Sequence, residues 1–192
     1  MKKSAFSDLT KEEIGRLFPI EISPYDPIWP RLYEEERQII EKNINPSLYA
    51  RIEHFGSTSV PGLSSKNTID ILMAVEFEDN SSHEIIEQME KIGYEFNWQN
   101  EGGNTHMVFI KGYDPDKPKQ QTYHIHAAPE NHSLWNRINF RNYLIKYPEV
   151  ARRYEELKKS LASKFKHERV AYRIAKTEFV KEITDKSLLE NP

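Results

Sequence analysis

HFGSTSVPGLSSKNTIDILMAV, residues 54–75, joins a loop of small residues to the most regular alternation in the chain. In its second half Ile69, Ile71, Met73 and Val75 alternate with Asp70, Leu72 and Ala74, the period of a β-strand with one wholly apolar face. Asp70 is then a lone carboxylate on an apolar strand, and such a group needs a partner: Lys66, a backbone N–H or a metal ion. Just before the strand, Gly56 permits a backbone shape that presents N–H groups. Ser57, Thr58 and Ser59 add short hydroxyl donors, and Lys66 adds a point charge. Together these make a phosphate cradle, although an ordinary Ser/Gly loop has the same composition.

Working outward, ARIEHF (50–55) predicts a short strand ahead of this loop. Further upstream, EISPYDPIWP (21–30) holds three prolines and must be extended or turned. It is preceded by a short helix within 7–18, with Ser7, Asp8 and Thr10 as candidate caps, and followed by a helix from about 30 to 42 whose apolar positions are Leu32, Tyr33, Ile39 and Ile40. Downstream, a helix over 81–92 ends at Gly93 and leads into YEFNW. Residues 105–111 and 121–127 both alternate, predicting an antiparallel hairpin across a polar loop. After Pro129 the pattern turns helical: one helix around Leu134, Ile138 and Tyr143, a second from Pro148 through Leu161, and a third over 168–184.

At 192 residues the chain suits one domain, and its 3 Trp, 10 Tyr and 9 Phe supply anchors that disordered chains lack. The absence of cysteine excludes disulfides, thiolate nucleophiles, iron–sulfur clusters and Cys-ligated zinc, leaving His, Asp and Glu to bind any metal. The first 18 residues show no apolar leader, and no run of 18 apolar residues occurs, which points to a soluble cytoplasmic protein with no membrane partner. The net charge of -3 conceals a division: residues 131–184 carry 13 Lys/Arg against 6 Glu, a net of +7, and the remainder carries -10. Helix-spaced pairing with Glu155 and Glu156 accounts for most of Arg152, Arg153, Lys158 and Lys159.

The stretch over 54–70 resembles the core motif of the GrpB family, HxGSTxVPGLxxKxxID. The resemblance extends over most of the chain: YDPIW (25–29), a hydrophobic-HxH strand ending at His126, FRNYL (140–144) followed by Tyr147 and Pro148, and AYRIAKTEFV (171–180). It implies an α/β (α+β) fold of the nucleotidyltransferase superfamily: a mixed β-sheet flanked by helices, with a helical C-terminal layer and a cleft between them. It also implies a single domain over 1–192 with its core at about 22–184. In that superfamily a GS loop holds nucleotide phosphates, and carboxylates spaced i, i+2 bind Mg²⁺. Many relatives read DID where this chain reads Asp70, Ile71, Leu72, so the second carboxylate is missing. Glu76 shares the parity of Asp70 but lies roughly 20 Å along an extended strand. Glu53 and His54 have opposite parity, and His54 is taken as the site residue on its position in the family motif.

His124 and His126, two apart on a strand, place both imidazoles on one face. With Asp70 they form a set suited to Zn, Mn, Fe or Ni better than to Mg, while stacking beside aromatic rings is the plainer alternative. His83, His106, His132 and His167 lack a comparable partner and are read as surface or core residues. The expected ligand is a nucleotide or small phosphorylated molecule, with Mg, Mn or Zn as the divalent metal. Asp70 is the candidate catalytic residue; Asp70, His124 and His126 are the candidate metal ligands. The phosphate is assigned to Gly56, Ser57, Thr58, Lys66 and His54. Arg137, Arg141, Tyr172 and Lys176 join them because the family pattern has basic or hydroxyl residues in their segments. The function implied is metal-dependent nucleotidyl transfer. The alternative is a degenerate ligand-binding or accessory protein linked to coenzyme A metabolism, since relatives occur fused to dephospho-CoA kinase; this chain has no Walker A motif of its own. The basic aromatic mixture of the C-terminal helices also suits RNA, but no recognisable RNA-binding module is present.

Overall fold

The alternating residues of that stretch form strand β2, Thr68–Ala74, near the centre of a five-stranded mixed sheet. The computed structural model describes residues 9–77, 79–101, 104–117 and 119–190. β1 (Arg51–Phe55) pairs antiparallel with β2, and β5 (Thr122–Ala128) pairs parallel with it on the other side. β4 (Asn104–Lys111) and β3 (Glu95–Glu101) complete the order β1-β2-β5-β4-β3. The expected hairpin is the antiparallel β4–β5 pair, and the YEFNW segment supplies the edge strand β3.

The apolar face of β2 builds the main core. Ile69, Ile71, Met73 and Val75 are buried with Met107, Phe109, Ile125 and Ala127 from the neighbouring strands. Helices α2 (Trp29–Asn43) and α3 (Asp79–Lys91) cover them through Trp29, Ile40, Ile85 and Met89. Each Ile, Val, Met or Phe among them, fully buried, contributes about 1.5–3 kcal/mol by leaving water. Gly93, with φ of 89°, closes α3 as expected. The stripe of α2 differs from its expected form: Ile39 is exposed, and Glu36 takes the inward position between Trp29 and Ile40. The Glu36 carboxylate accepts from Tyr94 Oη at 2.9 Å and pairs with Lys111, which replaces an apolar contact by a buried ion pair between helix and sheet.

On the opposite face stand α4 (Asn136–Lys146), α5 (Pro148–Lys164), α6 (Arg169–Ala175) and α7 (Thr177–Glu190). They share a second core of Val60, Leu63, Phe140, Leu144, Val150, Tyr154 and Ile183. The third predicted helix, 168–184, is thus two helices broken at Lys176, the second running on to Glu190. The Lys176 amide bonds three residues back, to Arg173 O at 3.3 Å, and this tightened turn ends α6.

α1 (Lys11–Leu17) is capped by Thr10, whose hydroxyl accepts from the Glu13 amide while the Thr10 amide donates back to Glu13. The other candidate caps, Ser7 and Asp8, lie outside the described residues. From α1 the chain runs as a strap between the two layers. The Arg169 guanidinium donates to Phe18 O at 2.8 Å, Ile20 N donates to Lys166 O at 2.7 Å, and Ser23 bridges to Ser65. No described helix is long and apolar enough to cross a membrane.

Candidate functional site

The cleft between sheet and helical layer has a volume of about 960 Å³ and is floored by the second face of the sheet. The register decides which side chains reach it. Phe55 is paired with Asp70 across β1–β2, and Asp70 with His124 and Leu72 with His126 across β2–β5. Partners in register share a face, so Phe55, Asp70, His124 and His126 all point into the cleft.

The same register corrects the placement of His54. It pairs with Ile71 and therefore lies on the α2 face, stacked on Tyr33 with ring centroids 4.6 Å apart and bonded through Nε2 to Thr58 Oγ1 at 3.0 Å. Burial, aided by Arg141, pushes its imidazole down to about 4. Thr58 is fully buried, its hydroxyl donating to Thr68 O at 3.2 Å, so it fastens the loop instead of lining the cleft. Arg141 is likewise occupied elsewhere, donating to Glu53 Oε2 at 3.2 Å and to His54 O at 2.5 Å. Glu53, the alternative to His54, has the parity of Asp70 but is held by this arginine.

The remaining expected residues come together. Gly56, Ser57, Lys66, Asp70, Arg137, Tyr172 and Lys176 all line the cleft. Gly56 has φ of 73°, and a Cβ on it would stand 2.4 Å from Asp70 Oδ2, so both backbone shape and the nearby carboxylate require glycine. Ser57–Ser59 then forms a single 3-10 turn. Lys66 and Lys176 approach the Tyr172 ring, at 5.9 and 4.4 Å from its centroid.

Several residues that the sequence did not single out line the cleft or stand behind its side chains. Lys158 is no surface partner of Glu155; that glutamate pairs with Lys159, whereas Lys158 is buried in the cleft wall and bonds to Ser64 O. Its signal was legible, because Val150, Tyr154, Lys158 and Ala162 recur every four residues on the buried face of α5. Arg169 and Arg173 come from α6. Tyr113 bonds through its hydroxyl to His124 Nε2 at 2.6 Å and accepts from Arg169 at 3.0 Å. His106 is buried, with Nε2 3.2 Å from His126 Nδ1.

The electrostatics follow from crowding cations into a cleft. Burial, with Arg169 and Lys176 adding repulsion, pushes the Lys66 ammonium down to about 7 against the pull of Asp70. Lys158 is brought to about 7 mainly by burial, and Lys176 to about 8 by the same cause. Burial raises the Asp70 carboxyl, opposed by Lys66, Arg137 and Lys176. It also lowers His124 to about 3, with Lys66 and Arg169 contributing, and holds His126 well below its ordinary value. Both imidazoles are therefore neutral at pH 7. One ligand atom from each of Asp70, His124 and His126 lies within 4.8 Å of the others, a grouping that can hold a metal ion. The cleft thus sets one carboxylate and two neutral imidazoles beside a wall of basic groups.

The sequence pattern described as GrpB protein matches residues 19–186. A UPF0157 protein of Pseudomonas aeruginosa is 35% identical over 170 residues, covering 88% of this chain and 68% of its own length. The glutamate-rich protein GrpB of Alkalihalophilus pseudofirmus is 33% identical, covering 81% and 88% respectively. Among solved structures, the conserved protein GrpB from Enterococcus faecalis superimposes with a TM-score of 0.75 at 31% identity, over 88% of this chain and 98% of its own.

Proposed function

The chain belongs to the GrpB family, and on that premise we propose that the cleft binds a nucleotide or other small phosphorylated molecule, with a divalent metal held at Asp70, His124 and His126. The observation that carries this reading is the convergence of Lys66, Arg137, Lys158, Arg169, Arg173 and Lys176 on the cleft that holds the triad. Like charges crowded together depress one another, as at Lys66 and Lys176, and phosphate supplies the negative charges and acceptors that such a wall matches. In this reading Ser57, lining the cleft at the turn after Gly56, donates to a phosphate oxygen, and Lys66 and Lys176 neutralise it. The apolar lining from Phe55, Phe140 and Val108 offers a surface for the rest of the ligand. A divalent cation at the triad would supply Lewis-acid polarisation of a phosphoryl oxygen.

Nucleotidyl transfer is the activity that this combination of phosphate wall and metal triad supports. Binding without turnover is favoured by one specific observation: Leu72 is fully buried at the place where a second chelating carboxylate would sit. Calorimetry with ATP and pyrophosphate tests the ligand. Measurable affinity that falls at least tenfold in Lys66→Met and Lys176→Met is expected, and no binding by the wild-type chain would overturn the proposal. Pyrophosphate release from each nucleoside triphosphate in the presence of Mg²⁺, Mn²⁺ or Zn²⁺ then separates transfer from binding alone.

A further inference from the structure

We infer that the triad selects a borderline transition ion of the zinc class over magnesium, and that Tyr113 and His106 orient its ligands. This deepens the proposal above by naming the class of metal, and it concerns the metal end of the cleft alone.

The donor set is two imidazole nitrogens and one carboxylate, a combination suited to zinc, iron, manganese or cobalt. Magnesium demands a near-ideal octahedral shell of oxygens and keeps most of its waters. The far side of each imidazole is already engaged. His124 Nε2 faces Tyr113 Oη at 2.6 Å, and His126 Nδ1 faces His106 Nε2 at 3.2 Å. The ring nitrogens left for an ion are therefore Nδ1 of His124 and Nε2 of His126. His124 Nδ1 is 3.9 Å from Asp70 Oδ1, inside the ~4.2 Å that two ligands at about 2.1 Å from one ion can span.

Partners behind a ligating histidine fix its tautomer and ring orientation, and removing them weakens metal binding about 10–100-fold. Tyr113 is itself held, its hydroxyl accepting from Arg169 at 3.0 Å and its ring set edge-on to Phe18 at 5.0 Å. Asp70 and His124 are in register on adjacent strands, so the hydrogen-bonded ladder sets their separation.

The test uses the full chain, free of any affinity tag and stripped with a chelator, titrated with Co²⁺ and followed by visible absorption. One Co²⁺ per chain is expected, with ligand-field bands that one equivalent of Zn²⁺ abolishes and a large excess of Mg²⁺ leaves intact. Asp70→Asn should abolish the bands. Tyr113→Phe, which keeps the ring packed, should weaken Co²⁺ binding about 10–100-fold while lowering the melting temperature by only a few degrees. Absence of Co²⁺ uptake, or displacement of Co²⁺ by equimolar Mg²⁺, overturns the choice of metal; wild-type affinity in Tyr113→Phe overturns the positioning role. Sulfate binding to the stripped chain, measured in parallel, reports the phosphate wall without metal, so failure of the metal inference and failure of the ligand proposal are distinguishable.

Discussion

Leu72 on β2 lies in register with His126 on β5, so a fully buried leucine stands beside an imidazole that reaches the cleft. Leu72 is packed with Phe55, Leu134 and Trp135. Replacing it with aspartate removes a core contact worth about 2–5 kcal/mol and buries a carboxylate. Leu72→Asp should therefore lower the melting temperature by roughly 10 °C in metal-free buffer. Millimolar Mn²⁺ or Mg²⁺ should recover part of that loss, because Asp70 and residue 72 share a face and would chelate one ion. Differential scanning fluorimetry with and without metal reads both effects, and the same loss in both buffers would count against a chelate.

Gly56→Ala and Gly62→Ala separate backbone strain from contact. Both glycines have positive φ, 73° and 80°, but a Cβ at Gly62 meets nothing within 4 Å, whereas one at Gly56 meets Asp70. Denaturant titration should show about 1 kcal/mol lost for Gly62→Ala and clearly more for Gly56→Ala, which alone should also weaken Co²⁺ binding by displacing the carboxylate.

Anion affinity should fall as pH rises. Lys66 near 7 and Lys176 near 8 are the cationic partners, and an anion binds the protonated forms, so binding takes up protons. Sulfate, whose own charge is constant over this range, should bind best at pH 6 and at least tenfold more weakly at pH 9, with a flatter profile in Lys66→Met. The ligand-free fold should respond in the opposite sense. Lys66 has its folded value below its unfolded value of 10.5, so between pH 7 and 10.5 the unfolded chain binds more protons and this lysine makes stability rise with pH.

His54 predicts acid sensitivity away from the cleft. Its imidazole is at about 4 in the fold against 6.5 unfolded, so the unfolded chain binds more protons between those values. The stability tied to neutral His54 is complete above pH 6.5 and is lost as pH falls toward 4, at most about 3 kcal/mol. Urea titrations at pH 7, 5.5 and 4.5 should show this slope, and His54→Gln should reduce it. An unchanged slope would assign the acid sensitivity to other groups.

The sequence made Asp70, His124 and His126 legible because a strand's period of two fixes which side chains share a face, and these three stand on strongly patterned strands. It did not place His54, because the parity of β1 relative to the site depends on the β1–β2 register, which neither the spacing nor the family position supplies. Arg141 and Thr58 fit the composition of a phosphate site yet serve the loop and β1; only their partners, Glu53, His54 and Thr68, show this. Lys158 was hidden by its helix spacing to Glu155, and Glu36 by its charge, although each occupies a position of its helix's buried stripe. Tyr113 and His106 carried no signal of their own, because contacts with His124 and His126 depend on how β4 and the following loop lie against β5.

The strap from α1 to Ser23 also has a consequence for the order in which the molecule is assembled. Phe18 O receives the Arg169 guanidinium from 151 positions away, and Gly15 O faces the His167 ring from 152 positions away. During synthesis, residues 15–20 leave the ribosome long before residues 166–169 exist to receive them, so they must wait while the sheet forms. Because loop closure over such distances is slow, the cleft should be the last part of the protein to mature, and a nascent chain halted before residue 166 should hold its strands but not yet its ligand.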